Sequence, residues 1–338
     1  MQRTLRLLGC AIVGALLAGC GNGTVIGSAT APPPTPVPPQ VTNEYPIPTT
    51  ASNPGGIVKG PDGALWFTEI AASKIGRLSQ AATVTDYSLP NAGSAPQSIT
   101  VGPDTELWFT ESARPVVGRL NASTLAFTEI TLPLAGARPW GIVTASNGSL
   151  WVSDPGSNAI WQITPAGVVS EYPIATPNAN PTSITIGPDS AVWYVETAVD
   201  KIGRLLPSAA AGSNGSEFAV SAGSGLGVIT AGNDNALWFT ESASKKVGRI
   251  LTNGTLTTET SLPGVSQPFG IVLGADGNFY ITDQSGSQIA RLAPLTLATT
   301  LYPTKSSNAR PYMLTLGADN EVYFTEQGAN SVGQFRYF

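Results

Sequence analysis

Short apolar runs, cut by turn residues, recur along this chain with a fixed period. The clearest copy is Pro61–Glu69, PDGALWFTE, in which a turn signal leads into an apolar strand that ends on an acid. Its relatives are PDTELWFTE (103–111), SNGSLWVSD (146–154), PDSAVWYVE (188–196), NDNALWFTE (233–241), ADGNFYITD (275–283) and ADNEVYFTE (318–326). The aromatic anchors are Trp66, Trp108, Trp151, Trp193, Trp238, Tyr280 and Tyr323, so successive steps are 42, 43, 42, 45, 42 and 43 residues. Around each anchor the pattern predicts four strands. In the first unit these are an extended run at Pro54–Val58, the apolar strand Leu65–Thr68, Lys74–Leu78 and Thr85–Leu89. Asp62-Gly63, Asn147-Gly148 and Asp276-Gly277 supply hairpin turns, because these residues tolerate positive φ. A module of this size cannot bury both faces of its own sheet, and a period near 42 is that of a propeller blade. The expected fold is all-β: a seven-bladed β-propeller with four antiparallel strands per blade.

The fourth-strand phrase is out of step with the others. It appears as Glu44-Tyr45-Pro46-Ile47 before any other strand, recurs as Asp86-Tyr87 and Glu171-Tyr172-Pro173-Ile174, and is missing after the last blade. The N-terminal strand, 43–48, is therefore expected to pair with the strand near 332–337 and close the ring. Closure covers sheet edges that would otherwise recruit other chains.

Composition narrows the function. Of 338 residues only 12% are charged, net charge is −5, and Gly 37 and Pro 28 supply turns. No Lys/Arg cluster is interleaved with aromatics, which argues against nucleic acid as a partner. The histidine count is 0, which removes Ser-His-Asp and Cys-His nucleophile systems and any imidazole zinc site. Residues 1–19 have a basic start (Arg3, Arg6), an apolar run and Leu17-Ala18-Gly19 before Cys20, the pattern of a bacterial lipoprotein leader. An ordinary cleaved secretory signal is the alternative. On the lipoprotein reading Cys20 carries the lipid and anchors the chain to a membrane at the bacterial cell envelope. Gly21 in place of Asp points to the outer membrane if the cell has one. Residues 20–42, with APPPTPVPPQ at 31–40, read as a Pro-rich tether. Residues 43–338 are the propeller, expected to be monomeric.

Two sets of residues could carry chemistry. One acid ends the second strand of every blade: Glu69, Glu111, Asp154, Glu196, Glu241, Asp283 and Glu326. Such a ring could hold Mg2+ or Ca2+; alternatively each acid accepts hydrogen bonds from the adjoining blade. The Gly-Arg-Leu arginines (Arg77, Arg119, Arg204, Arg249, Arg291) are expected to pair across strands with acids such as Asp86, Glu129, Glu217 or Glu259. Ser242-Ala243-Ser244-Lys245 matches a Ser-x-x-Lys pattern but falls in an expected turn, whereas that motif belongs on a helix. Differences between blades say more. The residue after the blade-opening position runs Gly55, Gln97, Trp140, Thr182, Gly227, Phe269 and Tyr312, with Arg138 and Arg310 two residues before Trp140 and Tyr312. Arg138, Trp140, Phe269, Arg310 and Tyr312 form the candidate ligand-binding rim; the aromatics could instead plug the channel.

GPDGALWFTE followed by KIGRL, with EYPIP between repeats, resembles the streptogramin B lyase (virginiamycin B lyase) family over 43–338. The resemblance implies the propeller and an elimination that opens the ester ring of a cyclic depsipeptide antibiotic. It also implies Mg2+ and a base held by two histidines and two glutamates of the last blades. Those histidine positions map to Phe269 and Tyr312 and one glutamate to Arg310; only Glu326 matches. The catalytic histidines are missing. Six-bladed lactonase-like propellers, with a calcium site, are a second comparison that differs in repeat number and matches no equivalent residues. The expected function is a lipid-anchored, extracytoplasmic, non-catalytic binding or scaffold protein for a peptide, glycan or protein partner, needing no cofactor. The alternative is a divergent metal-dependent lyase, or another enzyme assisted by Mg2+ or Ca2+.

Overall fold

The second strand is buried on both faces in six blades and nearly so in the seventh, where Tyr323 is half-buried, and that fact organises the molecule. Leu65–Glu69, Leu107–Glu111, Leu150–Asp154 and Val192–Glu196 are buried at every residue. A strand covered on both sides needs a neighbouring sheet against each face. The computed structural model describes residues 38–337 and supplies those neighbours as seven four-stranded antiparallel sheets. Blade 1 is Pro54–Lys59, Leu65–Glu69, Lys74–Leu78 and Val84–Ser88, hydrogen-bonded in that order. Five more blades repeat the order. First strands pack on first strands all the way round, from Pro54–Lys59 through Pro96–Val101 to Pro311–Leu316 and back. The expected seven-bladed propeller is the fold.

Each apolar core lies between two blades. Trp66 and Ile75 of blade 1 pack with Ile99, Leu107 and Phe109 of blade 2. Trp193, Val195 and Ile202 of blade 4 pack with Ile229, Leu237 and Phe239 of blade 5. The glycine of the KIGRL phrase is a packing requirement. Gly248 sits opposite Phe239 in the ladder, and a Cβ there would lie 2.0 Å from the Phe239 ring.

The ring closes through Gln40–Pro46, which pairs antiparallel with Ser331–Arg336 from Gln40↔Arg336 to Pro46↔Ser331. This strand starts at Gln40, inside the stretch read as tether, because Val41 is buried against Phe335 and Tyr337. A bulge between Val41 and Asn43 accommodates the extra residues. Side chains lock the seam: Asn43 Nδ2 and Tyr45 OH both donate to Gln334 Oε1, at 2.7 and 2.6 Å. Glu44 accepts the backbone N–H and the hydroxyl of Ser306, each at 2.6 Å. The leader, Cys20 and the tether up to residue 37 lie outside the described residues.

Each blade has two ends. At the turn end the hairpin Pro61–Gly63 joins first and second strands. At the mouth end the second strand finishes on its acid, directly opposite the blade-opening residue, as in Pro54↔Glu69 and Pro311↔Glu326.

Candidate functional site

The start of the first strand is bulged in six of the seven blades, and the bulge aims a variable residue into the mouth of the ring. Register slips between Pro54 and Ile57, so Gly55 and Gly56 stand against Thr68 alone. The same slip occurs in blades 2, 4, 5, 6 and 7. A hydroxyl on the second strand bridges the gap. In blade 2 the Ser98 N–H donates to Thr110 Oγ1 at 3.1 Å, and Thr110 Oγ1 donates to the Trp140 carbonyl of blade 3 at 2.6 Å. Thr68 holds Gln97 O (3.0 Å), Thr240 holds Phe269 O (2.5 Å), Thr282 holds Tyr312 O (2.8 Å) and Thr325 holds Gly55 O (2.8 Å). Ser153 does the same for Thr182 O. Blade 4 has Val195 at this place and lacks the latch. The repeated Thr before the acid thus fixes the backbone of the residue that varies.

Six of those variable residues, Gln97, Trp140, Thr182, Gly227, Phe269 and Tyr312, line one cavity of about 280 Å³ at the mouth. Phe269 and Tyr312 stack with centroids 4.6 Å apart and planes at 17°. Trp140 contributes the third ring, and Ser98, Ser183 and Thr197 add hydroxyls. No carboxylate or cationic side chain lines it. Burial pushes the Tyr312 phenol up to about 12, so it stays neutral and can donate. The two rim arginines are exposed and lie outside this lining. Arg138 Nη1 donates to Ala137 O at 2.7 Å, and Arg310 holds Gln327 N–H through its own carbonyl. Trp140, Phe269 and Tyr312 therefore come together; Arg138 and Arg310 do not join them. Ser98, Ser183, Thr197 and Met313 were not singled out in the sequence, since none stands at the position just after the blade opening.

The mouth-end acids are all fully buried. Their environments split by residue type. The shorter Asp154 accepts the backbone N–H of Arg138 and Gly156 (2.7 and 2.9 Å) and the Trp161 indole (2.8 Å). Asp283 accepts Ser266 and Gln267 N–H groups (2.9 and 2.8 Å). The glutamates reach past these donors. Both oxygens of Glu69 and Glu196, and one each of Glu111, Glu241 and Glu326, have no hydrogen-bond partner. Burial raises all five carboxyls, Glu69 and Glu196 to about 7 and Glu326 to about 8. The donors that are present come from the same blade or the loop leading into it, not from the adjoining blade. Among the described residues no three His, Cys, Asp or Glu side chains gather closely enough to hold a metal ion. Glu326 keeps one short contact, from Ser331 Oγ at 2.5 Å.

The repeat arginines do not pair with the fourth-strand acids. Arg77 lies opposite Trp66 in the ladder, so its guanidinium crosses the indole face (5.5 Å to the ring) and reaches the turn carboxylate of Asp62 at 2.7 Å. Arg119–Asp104, Arg204–Asp189, Arg249–Asp234 and Arg291–Asp276 follow suit at 2.7 to 2.9 Å. Asp86 faces Gly76 instead and pairs with Lys74, and Glu217 pairs with Lys201. Glu259 accepts Ser221 of the preceding loop at 2.9 Å. Ser242–Lys245 is a turn joining two strands of blade 5, not a helix.

With this geometry in place, comparisons with known proteins are specific. The chain matches the virginiamycin B lyase family over residues 39–214 and 208–337. A streptogramin B lyase structure is 29% identical, covering 88% of this chain and 97% of its own, with a TM-score of 0.82. Virginiamycin B lyase from Staphylococcus aureus is 30% identical over 88% of this chain and 99% of its own, TM-score 0.81. A catalytically inactive histidine-to-alanine variant of that enzyme with quinupristin is similar at 31% identity, again over 88% and 99%, TM-score 0.81.

Proposed function

Because the chain belongs to the virginiamycin B lyase family, we propose that it keeps the family's scaffold as a non-catalytic binding protein whose mouth takes a neutral, ring-bearing segment of a peptide. One observation carries this reading: Trp140, Phe269 and Tyr312 converge on a single cavity that holds no charged side chain. Aromatic faces favour flat apolar groups, and the hydroxyls around them can satisfy amide donors and acceptors. A volume of about 280 Å³ sits at the small end of ligand pockets, which run from ~300 to ~1,000 Å³. It suits one or two rings inserted from a larger ligand.

Family chemistry is the weaker reading. In the Staphylococcus aureus enzyme, replacing one histidine leaves the protein catalytically inactive, and this chain has 0 histidines. A Mg2+ ion would need several oxygen ligands. Around the matching Glu326 the other expected positions hold Arg310, Phe269 and Tyr312, and the described acids do not cluster. The residues present do not fit the ion, and no step is derived through it. Glu326 itself, buried and raised to about 8, is the one feature that favours a divergent lyase. Cys20 as a lipidated residue, and with it a place at the bacterial cell envelope, belongs to the same proposal and rests on the leader pattern.

The experiment compares the full chain with Cys20→Ser, which should leave the membrane fraction, and adds Trp140→Ala to the released form. Quinupristin serves as the probe because a relative is seen with it. Titration calorimetry should show binding that Trp140→Ala weakens at least tenfold, with the thermal transition moved by no more than a few degrees. Binding of simple sugars instead would make the ligand a glycan. Loss of fold in Trp140→Ala would make the aromatics a plug, and ring opening of quinupristin, followed by chromatography, would restore the lyase.

A further inference from the structure

At the turn end, one blade keeps the acid of the repeated module and loses its cation. In blades 1, 2, 4 and 5 a guanidinium lies 5.3 to 5.9 Å from the Trp ring centre and pairs with the turn aspartate. Blade 6 keeps the ion pair, Arg291–Asp276 at 2.9 Å, with Arg291 Nε donating to the Tyr280 hydroxyl at 3.2 Å in place of the ring-face contact. Blade 3 has lost both charges together: Asn147 stands in the turn, and Gln162 faces Trp151. Blade 7 has lost only one. Asp319 remains, Tyr323 is the aromatic, and Gln334 occupies the arginine's place opposite it. Gln334 is turned toward Tyr45, Asn43 and Glu321 as part of the ring closure. Arg336, two positions on, is committed to Glu321 at 2.5 Å. Among the described residues Asp319 accepts hydrogen bonds from the Tyr323 hydroxyl (2.9 Å) and the Glu321 N–H (3.1 Å), and Arg336, bonded to Glu321, reaches it only through space.

This incomplete module opens on a groove of about 410 Å³ between blades 7 and 1. Asp319 is exposed on its wall beside Tyr45 and Tyr323, and blade 1 lines it with Ser79, Gln80 and Ala82 above the nearly buried Leu65 and Leu78. We propose that this groove binds a guanidinium group carried on an aliphatic stem, the ligand supplying from outside the cation that blade 7 lacks. A guanidinium offers a planar fork to the carboxylate and a face to the phenol rings, while its methylenes can lie along the exposed Ala82. The chain makes the carboxylate contact internally in five other blades and the ring-face contact in four of them. The site is at the opposite end of the propeller from the aromatic mouth, so it stands whether or not the mouth binds a peptide.

The test uses the full chain with N-acetyl-arginine amide as probe and the citrulline analogue, which has the same shape without the charge, as control. Arginine amide should bind saturably, and citrulline amide at least tenfold more weakly. Asp319→Asn should reduce arginine binding at least tenfold. Gln334→Arg places the chain's own guanidinium against Asp319 and should block the probe. Because Gln334 also serves the closure, circular dichroism must show Gln334→Arg folded for its result to count; Asp319→Asn, at an exposed position, decides otherwise. An Ala-Arg-Ala peptide that outbinds arginine amide supports a peptide-borne guanidinium, and equal binding supports a free small molecule. Equal affinity for arginine and citrulline, undiminished binding by Asp319→Asn, or no saturable binding would overturn the proposal.

Discussion

The two ends of each blade treat charge in opposite ways. At the turn end the aspartate, the aromatic ring and the arginine neutralise one another in five blades, partly exposed to water. Each such pair contributes roughly 0–1 kcal/mol, so their value is in repeating one local geometry. At the mouth end the acids are taken wholly out of water, and five of them leave oxygens without partners. A buried group left unsatisfied costs about 1–3 kcal/mol. The mouth end is thus held by packing and by the threonine latches, and its first-strand residues are free to differ. Regularity marks what one blade needs for itself; irregularity marks what the ring presents to a ligand.

The strongest way to break this contrast is to remove the strand that spans both ends. Gln40–Pro46 contributes Tyr45 to the turn-end network around Gln334 and Glu44 to the latch on Ser306. Deleting it strips the last blade of its fourth strand and exposes Phe335 and the edge of Ser331–Arg336. Calorimetry should show the melting temperature falling by about 10 °C or more, at roughly 2–4 °C per kcal/mol for a domain of this size. An unchanged transition would mean that each end stabilises itself locally and that closure contributes little.

A second effect, on the order of a few kcal/mol for each buried glutamate, separates the ends by pH. Burial raises Glu69, Glu196 and Glu326 from 4.5 to about 7, 7 and 8. A carboxyl raised on folding binds its proton more tightly in the native state. Its contribution is complete below the unfolded value near 4.5 and is lost as pH rises through 7 to 8. At the turn end the sign reverses. Burial alone would raise Asp62 and Asp189, but hydrogen bonds from the Trp66 or Trp193 indole and the paired arginine hold both below the usual carboxylate range. Their contribution is present above about pH 4 and fades as pH falls through their native values. Stability measured by denaturant titration should therefore peak near pH 5, with an alkaline limb belonging to the mouth end and an acid limb to the turn end. Glu69→Gln should make the alkaline limb shallower without removing it, since Glu196 and Glu326 remain, and leave the acid limb alone. A curve rising from pH 5 to pH 8 would show that the buried glutamates are hydrated.

Much of this contrast was visible in the chain before any coordinates. The period of the aromatic anchors gives the blade count, and the displaced phrase Glu44-Tyr45-Pro46-Ile47 gives the closure, because both depend on local pattern repeated many times. The convergence of Trp140, Phe269 and Tyr312 followed from their equivalent places in different blades. What the pattern could not reveal was which partner a side chain selects. Arg77 has two acids within plausible reach, Asp62 and Asp86. The choice depends on which ladder residue it faces, a matter of one step in register. The exclusion of Arg138 and Arg310 from the cavity is a matter of side-chain direction that spacing alone does not carry. The start of the closing strand at Gln40 was hidden by the proline run before it.

The smallest effect concerns the blade whose turn end has lost its charges. Trp151 is fully buried, yet its indole N–H has no partner, whereas Trp66, Trp108 and Trp193 donate to Asp62, Asp104 and Asp189 at 2.9, 3.1 and 3.0 Å. Asn147 occupies the aspartate's place and already accepts the Ser149 N–H at 3.0 Å, as Asp62 accepts that of Ala64 at 3.2 Å. In those blades one oxygen, Oδ1, accepts both the backbone N–H and the indole, so Asn147→Asp turns the shared acceptor into a carboxylate and should stabilise the protein by about 1 kcal/mol. Gln162→Arg added to it supplies the guanidinium that faces this ring in other blades, although it removes the Gln162 contacts to Ser149 and Tyr172. The double variant should exceed Asn147→Asp alone only at low salt, where the exposed pair is least screened. If Asn147→Asp brings no gain in denaturant midpoint, the module at the turn end is decoration rather than structure, and the distinction between the two ends rests on the mouth alone.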